Sequence, residues 1–434
     1  MTEQAQSESG GGVAAGALAP EATTTATPAA TTTTRTRRTS SVGHIDLGDT
    51  AGSALSTMDA TASQILKSRN RRRALSNAMP GATAEVSGAS RLWISYRELC
   101  YRKTWVNPLL ALSVPIVAYA CAHDKEHSLF RRMLFASYPV AGTNPVQYAK
   151  GAWDFIFVGY YVIVFTFLRE FSMQQILEPI AHRCGIKRES KVKRFMEQTY
   201  SIMYYSVMSP WGLYIMHHTP LWYFETRPFY EAYPHKLHDL DFKMYYLLQA
   251  AFWSQQAIIL CLQVEKPRKD FKELVFHHVV TIALIFCSYR FHFTWIGLAV
   301  YITMDTSDLV LATSKTLNYL NNPITGPFFL FFMCVWVYTR HYLNLRILWS
   351  VLTEFATVGD FTLNFAAEQY KCWISQTITF VLLSALQLVN TYWLFLICRV
   401  AYRYVFSNIQ KDERSSDEED DEEDEPEAES KKDE

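Results

Sequence analysis

Eight apolar segments, at roughly 105–122, 151–168, 199–217, 244–262, 273–290, 294–314, 327–347 and 375–398, constrain this 434-residue chain more than any other feature. A bilayer core about 30 Å thick takes about 20 helical residues. Most of the segments come close to that length, and the shorter ones have aromatic flanks. The expected fold class is all-α, a polytopic membrane protein with about eight transmembrane helices. Pro108 and Pro115 are expected to kink the first segment or keep it at the periphery. No internal repeat is evident.

A hydrophobic share of 49% would also suit a large soluble protein, but here it is concentrated in the middle. Residues 1–88, rich in Ala, Thr, Ser and Gly, have too few large apolar groups for a core and are expected to be a disordered tail. No cleavable signal peptide is expected in "MTEQAQSESGGGVAAGALAP", so the first span would direct insertion. The end of the chain is a solvated acidic run, "SSDEEDDEEDEPEAES". The eight cysteines are scattered, which argues against a disulfide framework and against a cysteine-held zinc.

Loop charge sets the expected orientation. The connection 169–198 is strongly basic, "QVEKPRKDFK" at 263–272 is basic too, and the loop around residue 360 holds only Lys371. The positive-inside rule puts the basic connections and both chain ends in the cytosol. The aromatic loop near 219–242 then faces the lumen, although the four basic residues of 123–150 fit less cleanly.

The tails carry short addresses. Arg35 and Arg37 precede Ser40 in a pattern basophilic kinases accept, and Ser415 and Ser416 precede acids as acidophilic kinases prefer. "KSRNRRR" at 67–73 suits anionic membrane lipids. Lys431 and Lys432, in "KKDE", match a dilysine retrieval signal and point to the endoplasmic reticulum membrane.

Inside the apolar segments four ionisable residues stand out. His277 and His278 lie in the fifth, Asp305 and Asp308 in the sixth. Each such group costs about 2.5–3.5 kcal/mol on insertion scales, which makes function the default explanation. If "RFHFT" is the turn of a helical hairpin, His277 meets the depth of Asp308, and His278 that of Asp305. Asp305 and Asp308, three residues apart, share one helix face. An imidazole can accept a proton near neutral pH or attack an acyl group. A nearby carboxylate can orient the ring or stabilise imidazolium. With Lys266, Arg268, Lys269, Lys272 and Lys315 at a cytosolic mouth, an acyl-CoA donor fits: phosphates outside, thioester at the imidazoles, chain in the bilayer.

Other chemistries fit worse. Membrane di-iron enzymes need HxxxH and HxxHH boxes, whereas His217–His218 and His277–His278 are simple pairs expected at opposite faces. No metal and no cofactor is expected. His217 and His218 are read as interfacial, and Arg340 and His341 as packing or luminal headgroup contacts. A lipid sensor could keep the spans but would not need the His and Asp pairs; a proton-coupled transporter would be favoured by inverted repeats.

The stretches "FHHVVTIALIFCSYRFHFT" and "MDTSDLVLATSKTLNYLN" resemble the signature of the ceramide synthases, the longevity-assurance family within the TLC-domain membrane proteins. "YAKG", "FTFLREF", "AAFWSQQA", "RILWSVLTEF" and "QYKCWIS" support the resemblance, which covers about 95–412. "SSVGHIDLGDT" and "IQKDERS" are similar to the fungal branch. Many animal members have His where this chain has Met304, which puts a third catalytic imidazole in doubt.

The resemblance implies N-acylation of a sphingoid long-chain base by a fatty acyl-CoA, with a preference for very-long-chain donors. It places the catalytic residues on His277, His278, Asp305 and Asp308. It implies a TLC-type bundle enclosing an intramembrane cavity, and partners comprising acyl-CoA, sphingoid base, membrane lipids, a small single-span subunit and a homo- or heterodimeric paralogue. No nucleic-acid partner is expected. The expected organisation is a cytosolic tail (1–88), a first span and luminal loop (89–150), the catalytic membrane domain (151–405) and an acidic cytosolic tail (406–434).

Overall fold

The computed structural model describes residues 88–262 and 270–407, which are mostly helical. Helix α1 (Gly88–Arg102) precedes α2 (Val106–Cys121), the short α3 (Leu129–Leu134) and α4 (Trp153–Phe171). A π-helical turn, Ser172–Leu177, leads into α5 (Glu178–Arg183), and α6 (Glu189–His217) is the next long helix. After the single turn α7 (Pro228–Glu231) come α8 (Leu240–Cys261), α9 (Phe271–Arg290) and α10 (Thr294–Tyr319). Helix α11 (Thr325–Trp336) passes through a second π-helical turn, Val337–Leu343, into α12 (Asn344–Thr353), and α13 (Trp373–Ser407) follows.

Every apolar segment read from the sequence is helical. Among the described residues, four helices are long and apolar enough to cross a membrane, and five if α1 and α2, bent by 108° at their junction, count as one span. The anticipated hairpin turn is also present: α9 ends at Arg290 and α10 begins at Thr294, with His292 in the left-handed region at φ 64°.

The basic connection 169–198 differs from an open loop. Helix continues to Arg183, and α6 starts at Glu189, ten residues before its apolar part. Lys and Arg are good helix formers, and Glu189 in the first turn suits the positive end of the helix dipole. Cationic residues here extend helices beyond the apolar runs.

Helix α10 is the centre of the fold. It packs along α6, and on α11 and the second π-turn, while α4 packs on α8 and α9 on α13. Gly212 allows the close approach of α6, because a Cβ there would come within 2.6 Å of Tyr245 Oη and 2.9 Å of Ile302. An aromatic core fills the contact, including Tyr204, Tyr205, Tyr245, Phe252 and Tyr301.

At the α9–α10 turn end, three two-residue strands form an antiparallel sheet: β1 (Pro139–Val140), β2 (Gln147–Tyr148) and β3 (His238–Asp239). Gln147 pairs with Asp239 and Tyr148 with His238. Beside it, buried Lys243 forms an ion pair with Asp154 at 2.8 Å and donates to the carbonyls of Ser137 and Ala149 at 2.8 and 2.6 Å. Tyr289 donates to the same aspartate at 2.7 Å. One buried carboxylate thus ties together α4, α8 and α9.

Candidate active site

Helix α9 carries His277 and His278 in its second turn, and α10 carries Asp305 and Asp308 near its middle. His277 is buried between two indoles, with ring centroids 5.9 Å from Trp253 of α8 and 5.1 Å from Trp393 of α13. Thr281 Oγ1 lies 3.5 Å from its Nε2, and Nδ1 has no hydrogen-bond partner among the described residues. His278 is half-buried and donates from Nδ1 to the Leu274 carbonyl at 2.9 Å. A carbonyl only accepts, so that bond assigns a proton to Nδ1.

The two carboxylates sit in different environments. Asp305 is fully buried, and its Oδ2 accepts from Gln249 Nε2 and, at 3.5 Å, from Tyr245 Oη. Gln249 is itself held: its Nε2 lies 3.1 Å from Tyr245 Oη, and its Oε1 accepts from Tyr204 Oη at 3.0 Å. Asp305 Oδ1 has no protein partner among the described residues. Asp308 pairs instead with Arg340, Nη2 to Oδ1 at 2.5 Å.

The four residues therefore occupy neighbouring helices, as the hairpin argument requires, but Asp305 does not bond His278 and Asp308 does not bond His277. Three residues of helix set the two carboxylates about 60° apart on that shared face, with Asp305 meeting Gln249 of α8 and Asp308 meeting Arg340 of the second π-turn. Arg340 is buried and bonded to α10, so it is not a headgroup contact. His217 and His218 are exposed at the end of α6, His217 against Trp222 at 4.7 Å.

Of the residues expected at a cationic mouth, Lys272 is exposed in the first turn of α9 and Lys315 is half-buried on α10. Lys266, Arg268 and Lys269 lie outside the described residues, as do Ser40, Ser415, Ser416, Lys431 and Lys432.

A pocket of about 230 Å³ opens beside His277. On α9 it is lined by His277, Thr281, Leu284 and Ser288, a stripe at helical spacing, and Met304 and Trp253 stand at the same end as His277. Leu363, Phe365 and Tyr370, from the segment between α12 and α13, stand at the other end with Phe291 and Phe293. From His277 to Phe291 the lining runs roughly 21 Å along α9. The lining is largely aliphatic and aromatic, with His277 its one imidazole.

Sequence reading missed Gln249, Tyr245, Trp253, Trp393 and the role of Arg340. A signal was present for three of them. Tyr245, Gln249 and Trp253 are spaced four apart, so polar or aromatic groups recur on one face of α8.

Residues 194–399, which contain all four ionisable residues and Arg340, match the TLC domain. The chain is 51% identical over 381 residues to ceramide synthase LAG1 of Saccharomyces cerevisiae, covering 87% of this chain and 91% of that protein. It is 52% identical over 317 residues to sphingosine N-acyltransferase lac1 of Schizosaccharomyces pombe, covering 73% and 82%. Similarity extends to ceramide synthase 4 of Bos taurus, at 31% over 235 residues, or 54% and 56% of the two chains. The chain belongs to the ceramide synthase family of TLC-domain membrane proteins.

Proposed function

We propose that this protein is a ceramide synthase, transferring a fatty acyl group from acyl-CoA to the amine of a sphingoid long-chain base. The new C–N bond replaces the thioester C–S bond, and CoA leaves as the thiol. The amine is protonated near neutral pH, so a base must take its proton before attack. The thioester is already activated, so neither a metal nor nucleotide hydrolysis is needed.

The observation that carries this reading is the burial of His277 at one end of a long, largely apolar pocket. An acyl chain laid along α9 would put its thioester at that imidazole and its terminus towards Phe365 and Tyr370. His277, whose Nδ1 has no hydrogen-bond partner among the described residues, is the candidate nucleophile, and the adjacent His278 the candidate base. Asp305, with one oxygen unmatched, is assigned to the substrate ammonium. Asp308, fixed in place by Arg340, is assigned to the electrostatic surroundings of the histidine pair.

The same reading includes eight spans around an intramembrane cavity, both chain ends in the cytosol, and residence in the endoplasmic reticulum. It also includes a preference for very-long-chain donors, a small single-span subunit and a paired paralogue. Protease added to sealed microsomes should remove both tails; protection of either would reject that orientation.

Acyl-CoA supplied without base separates the chemical routes. A covalent acyl-imidazole on His277 predicts a burst of free CoA stoichiometric with enzyme, and a gain of the acyl mass. Absence of both would leave histidine as base only.

A further inference from the structure

We infer that Arg340 is a positioning residue of this acyltransferase: it holds the Asp308 carboxylate and the α10 turn on which both aspartates stand. The inference rests on Asp308 belonging to the site.

Most of the named bonds of the guanidinium go to one turn of α10. Nη2 reaches Asp308 Oδ1 at 2.5 Å and the Met304 carbonyl at 3.4 Å, and Nε donates to Ser307 Oγ at 2.6 Å. Nη1 donates to Asn390 Oδ1 of α13 at 3.0 Å, and the Trp336 ring lies 4.2 Å from the guanidinium carbon. Three of the four bonded partners are residues 304, 307 and 308 of α10, the turn that also bears Asp305. Supplying a countercharge would need one contact. The others fix the backbone and a neighbouring hydroxyl, so the planar fork cannot turn without losing several bonds together.

The local backbone supports a directed contact. Arg340 lies within a π-helical turn between two α-helical segments, and its partners lie on α10 and α13. Such turns are frequent at functional sites. A buried arginine is costly unless paired, and this one is 2% exposed. Arg340 does not line the pocket, so it acts through Asp308 and not on the acyl chain.

A double-mutant cycle in purified protein tests the inference. Arg340→Gln should lower kcat at least tenfold and leave KM for acyl-CoA within about twofold. Asp308→Asn should also lower kcat. The double variant should be no slower than Asp308→Asn alone, because the second change removes what the first was holding. It should also melt no lower than either single variant, since neither charge is then left unpaired. Multiplying losses in kcat would overturn the inference and make Arg340 an independent packing residue. Normal turnover in Arg340→Gln with impaired Asp308→Asn would reject Arg340 alone. Normal turnover in Asp308→Asn would reject Asp308 as a site residue, and the inference with it. If Arg340→Gln does not fold, Arg340→Lys keeps the charge without the fork. Its loss of kcat should then vanish in the Asp308→Asn background, and persistence of that loss would overturn the inference.

Discussion

Gln249 donates its side-chain amide to Asp305, joining the middle of α8 to the middle of α10 inside the bundle. Removing that donor leaves a buried carboxylate oxygen with only the long contact from Tyr245. An unmet buried acceptor costs about 1–3 kcal/mol, and more when charged. Gln249→Leu should therefore lower the melting temperature by several degrees and turnover by at least tenfold. Gln249→Asn, with the amide withdrawn, should fall between. Wild-type turnover in Gln249→Leu, measured in purified protein, would show that Asp305 needs no help from α8.

The pocket makes a prediction about chain length. Leu284 lines it about two helical turns beyond His277. Leu284→Trp should obstruct the far half of the pocket and move products to shorter acyl chains, with little loss of rate for the shortest donors. Mass analysis of products from mixed acyl-CoAs reads this directly. An unchanged product distribution would mean that the acyl chain lies elsewhere.

A cluster at the α9–α10 turn predicts acid sensitivity. Lys150 donates to the His235 carbonyl at 2.9 Å, lies 3.3 Å from His292 Nδ1, and is partly bonded to Thr294, which also contacts His238 at 3.0 Å. Burial, then the nearby Lys150 charge, pushes His292 down to about 3; burial chiefly pushes His235 down to about 4. The unfolded chain takes up these protons near pH 6.5 while the folded protein refuses them. Stability from both groups is thus full above about pH 6.5 and is lost as pH falls towards 4. The melting temperature should drop by several degrees between pH 7 and pH 5. His292→Asn suits the left-handed backbone there and should flatten the dependence. An equally steep profile in that variant would assign the acid sensitivity to other groups.

The cationic rim predicts a split between substrates. Neutralising Lys272 and Lys315, together with Lys266, Arg268 and Lys269 outside the described residues, should raise KM for acyl-CoA more than KM for the base. Equal changes in both would point to general destabilisation.

Much of the framework was legible in the sequence because spans in lipid leave a length and apolarity signature. The eight helical segments and the 290–294 turn follow from it, as does the proximity of α9 and α10. The partners of the ionisable residues were not legible. Which face of α10 meets α8 depends on the close packing of α6 at Gly212. Of the two readings of Arg340, packing and a headgroup contact, the structure bears out packing; its partners on α10 are not adjacent in sequence and so leave no local signal. The basic stretch 169–198 reads as a connection in the sequence because charge marks the end of an apolar run, not the end of a helix.

The most direct test is product formation by purified protein supplied with a sphingoid base and acyl-CoAs of graded length, compared with His277→Ala/His278→Ala. The wild type should yield the N-acylated base. The folded double variant should lose at least about 10²-fold in turnover, the lower bound for a lost general base. Near-normal N-acylation by the double variant would contradict the assignment of the reaction to this histidine pair, and no N-acylated product from the wild type would contradict the activity itself.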